Sequence, residues 1–187
     1  MDLRQERLNL RNSAYALLKA ESFHREAVTL SSGAKSDFYF DLKPAMLHPE
    51  GSRILSDLIL HELQGVKADR VGGLEMGAVP IVSTVAMRSQ KMGRHLNGFF
   101  IRKERKNHGT MKLVEGESIQ GKNVVILDDV TTTGESAMLA VRAAREAGAT
   151  VTLVLSIVDR GEGAYALYER EGVPFKSLFR ADEFLKT

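Results

Sequence analysis

The sequence predicts an α/β fold: a mostly parallel sheet flanked by helices, with a small N-terminal helix-and-hairpin extension. Three observations predict it. From Arg70 onward, short apolar runs alternate with amphipathic stretches of helix length, the order that builds parallel sheets. Two of those runs, Val124–Leu127 and Val151–Val158, are almost wholly apolar, as strands covered on both faces are. The 187 residues, 43% hydrophobic and 27% charged, suffice for one substantial core, and no repeat or low-complexity linker divides them. The expected organisation is one domain over 1–187, in which 1–66 form the extension and hood elements and 67–180 the α/β core.

In chain order, Leu10, Ala14, Leu17 and Leu18 share one face of a helix over 2–20. Ala27–Leu30 and Phe38–Leu42 read as the strands of a hairpin around SSGAKSD. Pro49 opens a second helix, with Ile54, Leu55, Leu58, Ile59 and Leu63 on one side and Gly65 at its end. Val71–Leu74 is a strand, and Gly77 and Pro80 lead into a helix through about Gln90. Gly98–Ile101 and Val124–Leu127 are the next strands. A helix follows from Glu135 to Ala147, ended by Gly148. Val151–Val158, a helix over Gly161–Glu171 and a strand over Phe175–Phe179 complete the core.

Composition excludes several classes. There is no cysteine, so disulfides and thiolate metal sites are absent. No run approaches the roughly 20 apolar residues of a membrane span. MDLRQERLNLR lacks the apolar centre of a signal peptide, which makes a cytoplasmic location the expectation. A net charge of +2 and 6% aromatic residues give little support to a nucleic-acid binder.

The chemistry concentrates in VVILDDVTTTGES, Val124–Ser136. A strand, two adjacent carboxylates, a hydroxyl-rich turn and a helix follow one another. The amino end of that helix offers free backbone N–H groups and positive potential to an anion. Thr131, Thr132, Thr133 and Ser136 add hydroxyl donors, and Gly134 lets backbone approach a ligand. Asp128 and Asp129 can accept from neighbouring hydroxyls. A phosphate cradle beside a diol acceptor describes a ribose 5-phosphate site. Other phosphate motifs fit less well: a P-loop requires Lys where Glu135 stands, and a dinucleotide fingerprint requires three spaced glycines. A plain strand–helix turn capped by Thr would use the same residue types.

Ligands of such sheets bind beyond the carboxyl ends of the strands, where three more stretches lie. Gly72–Gly77, GGLEMG, reads either as backbone for a pyrophosphate or as a tight turn. Arg102–Lys112, RKERKNHGTMK, carries a net +4 and His108; it suits closure over a polyanionic leaving group, whereas most charge runs are solvated loops. Arg160, in DRGEG, has the planar fork of a carboxylate binder, or forms a surface pair with Asp159.

The central stretch resembles the 5-phosphoribosyl-1-pyrophosphate (PRPP) signature of type I phosphoribosyltransferases. TLSSGAKSDFYFDL, GGLEMGAVP, FIRKERKNHG, VVILDDVTTTGES and IVDRGEG occur in the order and approximate spacing of the orotate phosphoribosyltransferase family, from about Thr29 to Gly163. The resemblance implies the type I phosphoribosyltransferase fold and joining of orotate to PRPP, with release of pyrophosphate, to give orotidine 5′-monophosphate in pyrimidine (UMP) synthesis. By motif position, Asp128, Asp129, Val130, Thr131, Thr132, Thr133, Gly134, Glu135 and Ser136 would hold the ribose and its 5-phosphate. Arg102, Lys103, Lys106 and His108 would meet the pyrophosphate, and Thr132 and Arg160 would contact orotate. Lys103, Lys106, His108, Asp128 and Asp129 would be catalytic. The resemblance also implies Mg²⁺ held mainly by PRPP and water, and a homodimer in which Lys103 reaches the neighbouring subunit's site. The chain departs from many members at Ser31, where they carry Lys, and in having no Lys within Gly72–Gly77. A transferase for another base and a non-catalytic PRPP-binding regulator are the alternatives; the basic run and Arg160 favour the enzyme.

Overall fold

The computed structural model describes residues 2–29, 35–104 and 113–186. Helix α1, Leu3–Glu21, starts where the Asp2 carboxylate accepts from the Arg4 N–H at 3.3 Å. It buries Ala14 and Leu18, with Leu10 and Leu17 packed beside them, which is the face its spacing predicts. Four two-residue strands follow: β1 Phe23–His24, β2 Val28–Thr29, β3 Lys35–Ser36 and β4 Tyr39–Phe40.

Their pairing corrects the expected hairpin. β2 pairs with β3, while β4 pairs with β1, so one antiparallel ladder is nested inside another. Aromatic packing explains the choice. Phe23 lies against both Phe38 and Phe40, with ring centroids 6.1 and 5.1 Å away. His24 stacks on Tyr39 at 4.6 Å. These cross-strand pairs hold the second strand to the end of α1 rather than to Val28.

A short helix that the sequence did not signal, α2 Lys43–Leu47, precedes α3, Pro49–Glu62. His48 Nδ1 accepts from the Glu50 and Gly51 N–H groups and caps α3. All five predicted apolar positions, Ile54, Leu55, Leu58, Ile59 and Leu63, are buried.

The core comprises β5 Arg70–Leu74, α4 Val79–Lys91, β6 Asn97–Ile101, β7 Val114–Gly116, β8 Asn123–Thr131, α5 Glu135–Glu146, β9 Thr150–Asp159, α6 Ala164–Arg170, β10 Phe175–Arg180 and α7 Ala181–Leu185. The sheet order is β10-β9-β8-β5-β6-β7, parallel except for β7. Alternation along β8 divides the interior: Val125 and Leu127 join α1, α3 and α4 on one face, and Val124 and Ile126 join α5 and α6 on the other. Buried Glu62 pairs with Arg7 of α1 and Lys176 of β10. Burial alone would raise its carboxyl, but the two cations hold it below the usual range.

Two strands differ from expectation in ways that shape the site. β7 returns antiparallel onto β6, with Ile101 opposite Val114, in a stretch read as loop. Three residues, one of them Gly116, were too few to show a strand pattern. β8 runs four residues past Leu127, because Val130 and Thr131 stay paired with Val158 and Asp159 of β9. Asp128 and Asp129 therefore lie within the strand, not in the turn after it.

Candidate active site

The chain leaves β5 for β6 on one side and resumes with β8 on the other, so the sheet order reverses between β5 and β8. Such a reversal opens a crevice at the strands' carboxyl ends. Residues 75–78, 102–104, 113, 132–134 and 160–163 lie at those ends.

Neighbouring residues of a strand face opposite ways, and the two carboxylates of β8 differ accordingly. Asp128 is buried, and its Oδ2 accepts from the Thr131 hydroxyl at 2.7 Å. Burial, reinforced by the charge of Asp129, pushes its pKa up to about 7 despite the Thr131 bond. Asp129 is half-buried; its Oδ1 accepts from the Val130 N–H at 2.9 Å. Its carboxylate fills the space beside Gly77, where a Cβ would come within 2.8 Å of Oδ1. The loop after β5 and the end of β8 thus touch across the crevice.

Beyond Thr131 the chain turns. Thr132 is half-buried, Thr133 exposed, and Gly134 is buried at φ +90° as the N-cap of α5. Glycine is required there twice over, by the left-handed backbone and by Tyr168, whose ring and hydroxyl would lie 3.0 Å from any Cβ. No side chain caps α5, so Thr does not serve as its cap and the first-turn N–H groups remain directed at the crevice. Glu135 and Ser136 occupy that turn with exposed side chains. Thr131 was expected among the phosphate donors; the structure gives its hydroxyl to Asp128 instead.

Gly72 and Gly73 lie within β5 and have packing roles. A Cβ on Gly72 would enter the Phe99 ring, and one on Gly73 would meet the Leu127 carbonyl and Ala78. Only Glu75–Gly77 forms the loop itself, and its Glu75–Met76 peptide is cis. Met76 is 68% exposed. The Glu75 N–H donates to the Ile101 carbonyl at 2.9 Å, and its carboxylate accepts from the Lys103 N–H at 3.1 Å. Arg102 lies near Glu115 of β7, Nη1 to Oε1 3.4 Å, and Lys103 is exposed. Lys106, His108 and Ser31 lie outside the described residues.

Chain similarity agrees with this geometry. A family model described as phosphoribosyl transferase domain matches residues 46–176. The orotate phosphoribosyltransferase of Bradyrhizobium diazoefficiens is 51% identical over 176 residues, covering 92% of this chain and 94% of that one. The chain belongs to the orotate phosphoribosyltransferase family. It is thereby an enzyme of the pentosyl-transferring glycosyltransferases. The Mycobacterium tuberculosis H37Rv orotate phosphoribosyltransferase, solved with Fe(III) dicitrate, is 34% identical and superimposes with a TM-score of 0.83 over 94% of this chain and 98% of that one. The same protein solved with PRPP gives 32% identity and a TM-score of 0.78 over the same shares.

At the turn after β9, Arg160 is held on several sides. Its Nε donates to Glu162 Oε1 at 2.7 Å, Nη1 to the Phe38 carbonyl at 3.3 Å and Nη2 to Ser36 Oγ at 2.9 Å. The guanidinium lies 4.3 Å over the Phe38 ring, and only 3% of the side chain is exposed. Its acidic partner is therefore Glu162 and not Asp159, which is buried and accepts from the Gly161 N–H at 2.8 Å. Sequence reasoning missed Ser36, Phe38, Glu75, Glu162 and Tyr168 as members of the site. All but Glu162 meet their partners only through the fold, whereas Glu162, two residues from Arg160, was visible as a local acid.

Proposed function

We propose that this crevice transfers the 5-phosphoribosyl group of PRPP to orotate, releasing pyrophosphate. The observation that carries the reading is the uncapped start of α5, placed directly after a strand-borne carboxylate pair at the reversal of the sheet. The 5-phosphate binds along Val130–Ser136, chiefly to the first N–H groups of α5 and the hydroxyls of Thr132, Thr133 and Ser136. The ribose hydroxyls face Asp128 and Asp129. Pyrophosphate leaves toward Arg102, Lys103, Lys106 and His108, and orotate lies between Thr132 and Arg160. Residues 1–66 cover this end of a single domain.

As the bond from the anomeric carbon to pyrophosphate breaks and the bond to the orotate nitrogen forms, the ribose gains positive character. Asp129, and Asp128 in its ionised form, stabilise that charge, while the basic segment receives the charge on the departing oxygens. Mg²⁺ fits this donor set as an ion carried by substrate oxygens and water. Asp129 offers one half-exposed hard oxygen donor, and among the described residues no three His, Cys, Asp or Glu side chains converge. When bound it neutralises pyrophosphate oxygens. Two copies of the chain share their sites through Lys103, in the cytoplasm. Among the described residues no helix is long and apolar enough to cross a membrane.

The test mixes the protein, PRPP and Mg²⁺ separately with orotate, uracil, adenine and hypoxanthine and follows pyrophosphate. Orotate is expected to be used at least about tenfold better than uracil, which lacks the carboxylate that Arg160 recognises. Equal use of the two would remove Arg160 from the orotate site, and release driven by a purine alone would replace the substrate.

A further inference from the structure

The phosphate cradle has a support beneath it that takes no part in the reaction as assigned. Tyr168 of α6 is fully buried, and its hydroxyl donates to the Gly134 carbonyl at 3.1 Å. Its ring and hydroxyl close the space under Gly134. Burial, with the charge of Asp128 nearby, pushes the phenol above its ordinary range, so the hydroxyl keeps the proton that it donates to Gly134. Phe175 of β10 packs against the ring from the other side at 4.6 Å. One side chain therefore holds the glycine that starts α5 in two ways, by its ring and by its hydroxyl.

We infer that Tyr168 is the positioning residue of the cradle. Its hydroxyl fixes the tilt of the Gly134 peptide, and with it the orientation of the α5 N–H groups that receive the 5-phosphate. A buried phenol rarely lacks a partner. What singles this one out is that its partner is a carbonyl already satisfied. The Gly134 oxygen also accepts the first helical bond of α5, from the Met138 N–H at 3.0 Å. The fold does not need the second donor to satisfy that oxygen, whereas the turn gains from it a fixed tilt of the Gly134 peptide. Tyr168 reaches no substrate itself, since Gly134 lies between.

The inference rests on the ribose 5-phosphate reading of the turn, and the two can fail separately. Tyr168→Phe keeps the ring under Gly134 and leaves the carbonyl bonded to Met138, so the variant folds with nearly unchanged melting temperature. Calorimetric titration of the full-length protein with ribose 5-phosphate, pyrophosphate and orotate, each alone, reads the effect. Loss of one well-placed hydrogen bond predicts about three- to tenfold weaker ribose 5-phosphate binding, with pyrophosphate and orotate within about twofold of the unmutated protein. In turnover, KM for PRPP rises by a similar factor while kcat stays within about twofold. Unchanged ribose 5-phosphate binding overturns the inference. So does equal weakening for all three ligands, which would make the hydroxyl a general structural group, and so does failure to fold, which would make it a folding group. An unmutated protein that binds pyrophosphate but not ribose 5-phosphate would instead overturn the reading of the turn.

Discussion

The turn after β8 and the turn after β9 are both short, polar and glycine-containing, yet they are held in opposite ways. The first is fixed from below. Asp128, Thr131, Gly134 and Tyr168 satisfy one another inside the protein, and the half that faces the crevice is left for a ligand. The second is fixed from above. Arg160 is gripped by Glu162, Ser36 and Phe38, so the group assigned to orotate already has protein partners. An anion entering the first turn meets vacant N–H groups. One entering the second must share or displace existing bonds, and its net gain is the difference between two charge-assisted contacts. Under the proposed assignment, phosphate binding and orotate recognition would therefore rest on different physics within about thirty residues of chain.

Four substitutions probe that contrast. On the proposed ribose assignment, replacing Asp128 and Asp129 together with Asn should lower phosphoribosyl transfer by at least about 10³-fold, because both carboxylates assigned to the ribose are lost. Circular dichroism should show the fold retained, as the amides match the carboxylates in size. Near-normal transfer would mean the ribose lies elsewhere.

The second concerns Asp128 alone and depends on pH. Its folded pKa of about 7 lies above the ordinary 3.8, so between those values the native protein keeps a proton that the unfolded chain has released. Stability from this group is therefore full below about pH 4 and falls as pH rises through 7. Asp128→Asn escapes that loss. Its melting temperature should match the unmutated protein near pH 4 and exceed it at pH 8, by up to about 4 kcal/mol in stability. A constant difference across the range would place the titration on another group.

At the other turn, Arg160→Ala should weaken orotate use by about 2–4 kcal/mol while KM for PRPP changes little. It should also lower the melting temperature, since it removes the tie between the core and the nested ladders of residues 23–40. Lys in its place should restore little, lacking the planar fork. The smallest effect is expected for Ser36→Ala, which removes one of the bonds to Arg160: about 1 kcal/mol in stability by denaturant titration. Orotate use should stay the same or improve, because a competitor for the guanidinium has gone. A loss as large as that of Arg160→Ala would make Ser36 itself part of the orotate site.

Much of this contrast was legible before the fold was known. Apolar runs at regular spacing mark the core strands, since a strand buried on both faces has few ways to be polar. The turn after β8 was readable because its donors and acceptors are adjacent in sequence. What escaped was whatever depends on pairing at a distance. Asp128 and Asp129 look like turn residues, and only the ladder to β9 carries the strand through them. Tyr168 is one aromatic residue in a short helix, and Gly134 selects it only once the two are folded together. The order of the small ladders is set by Phe23 packing on Phe38 and Phe40, a choice that Val28 and Tyr39 leave open.

The strand β7 bears on how this protein can change length. The Arg102 N–H donates to the Leu113 carbonyl at 2.9 Å, and Ile101 faces Val114. The ten residues 103–112 join the two sides of this stem. Doubling such an insert adds only about 0.6 kcal/mol of closure entropy. A segment between β6 and β7 can thus be lengthened, shortened or exchanged at little cost to the sheet, and a chimaera carrying a different basic segment there should fold before it is asked to react.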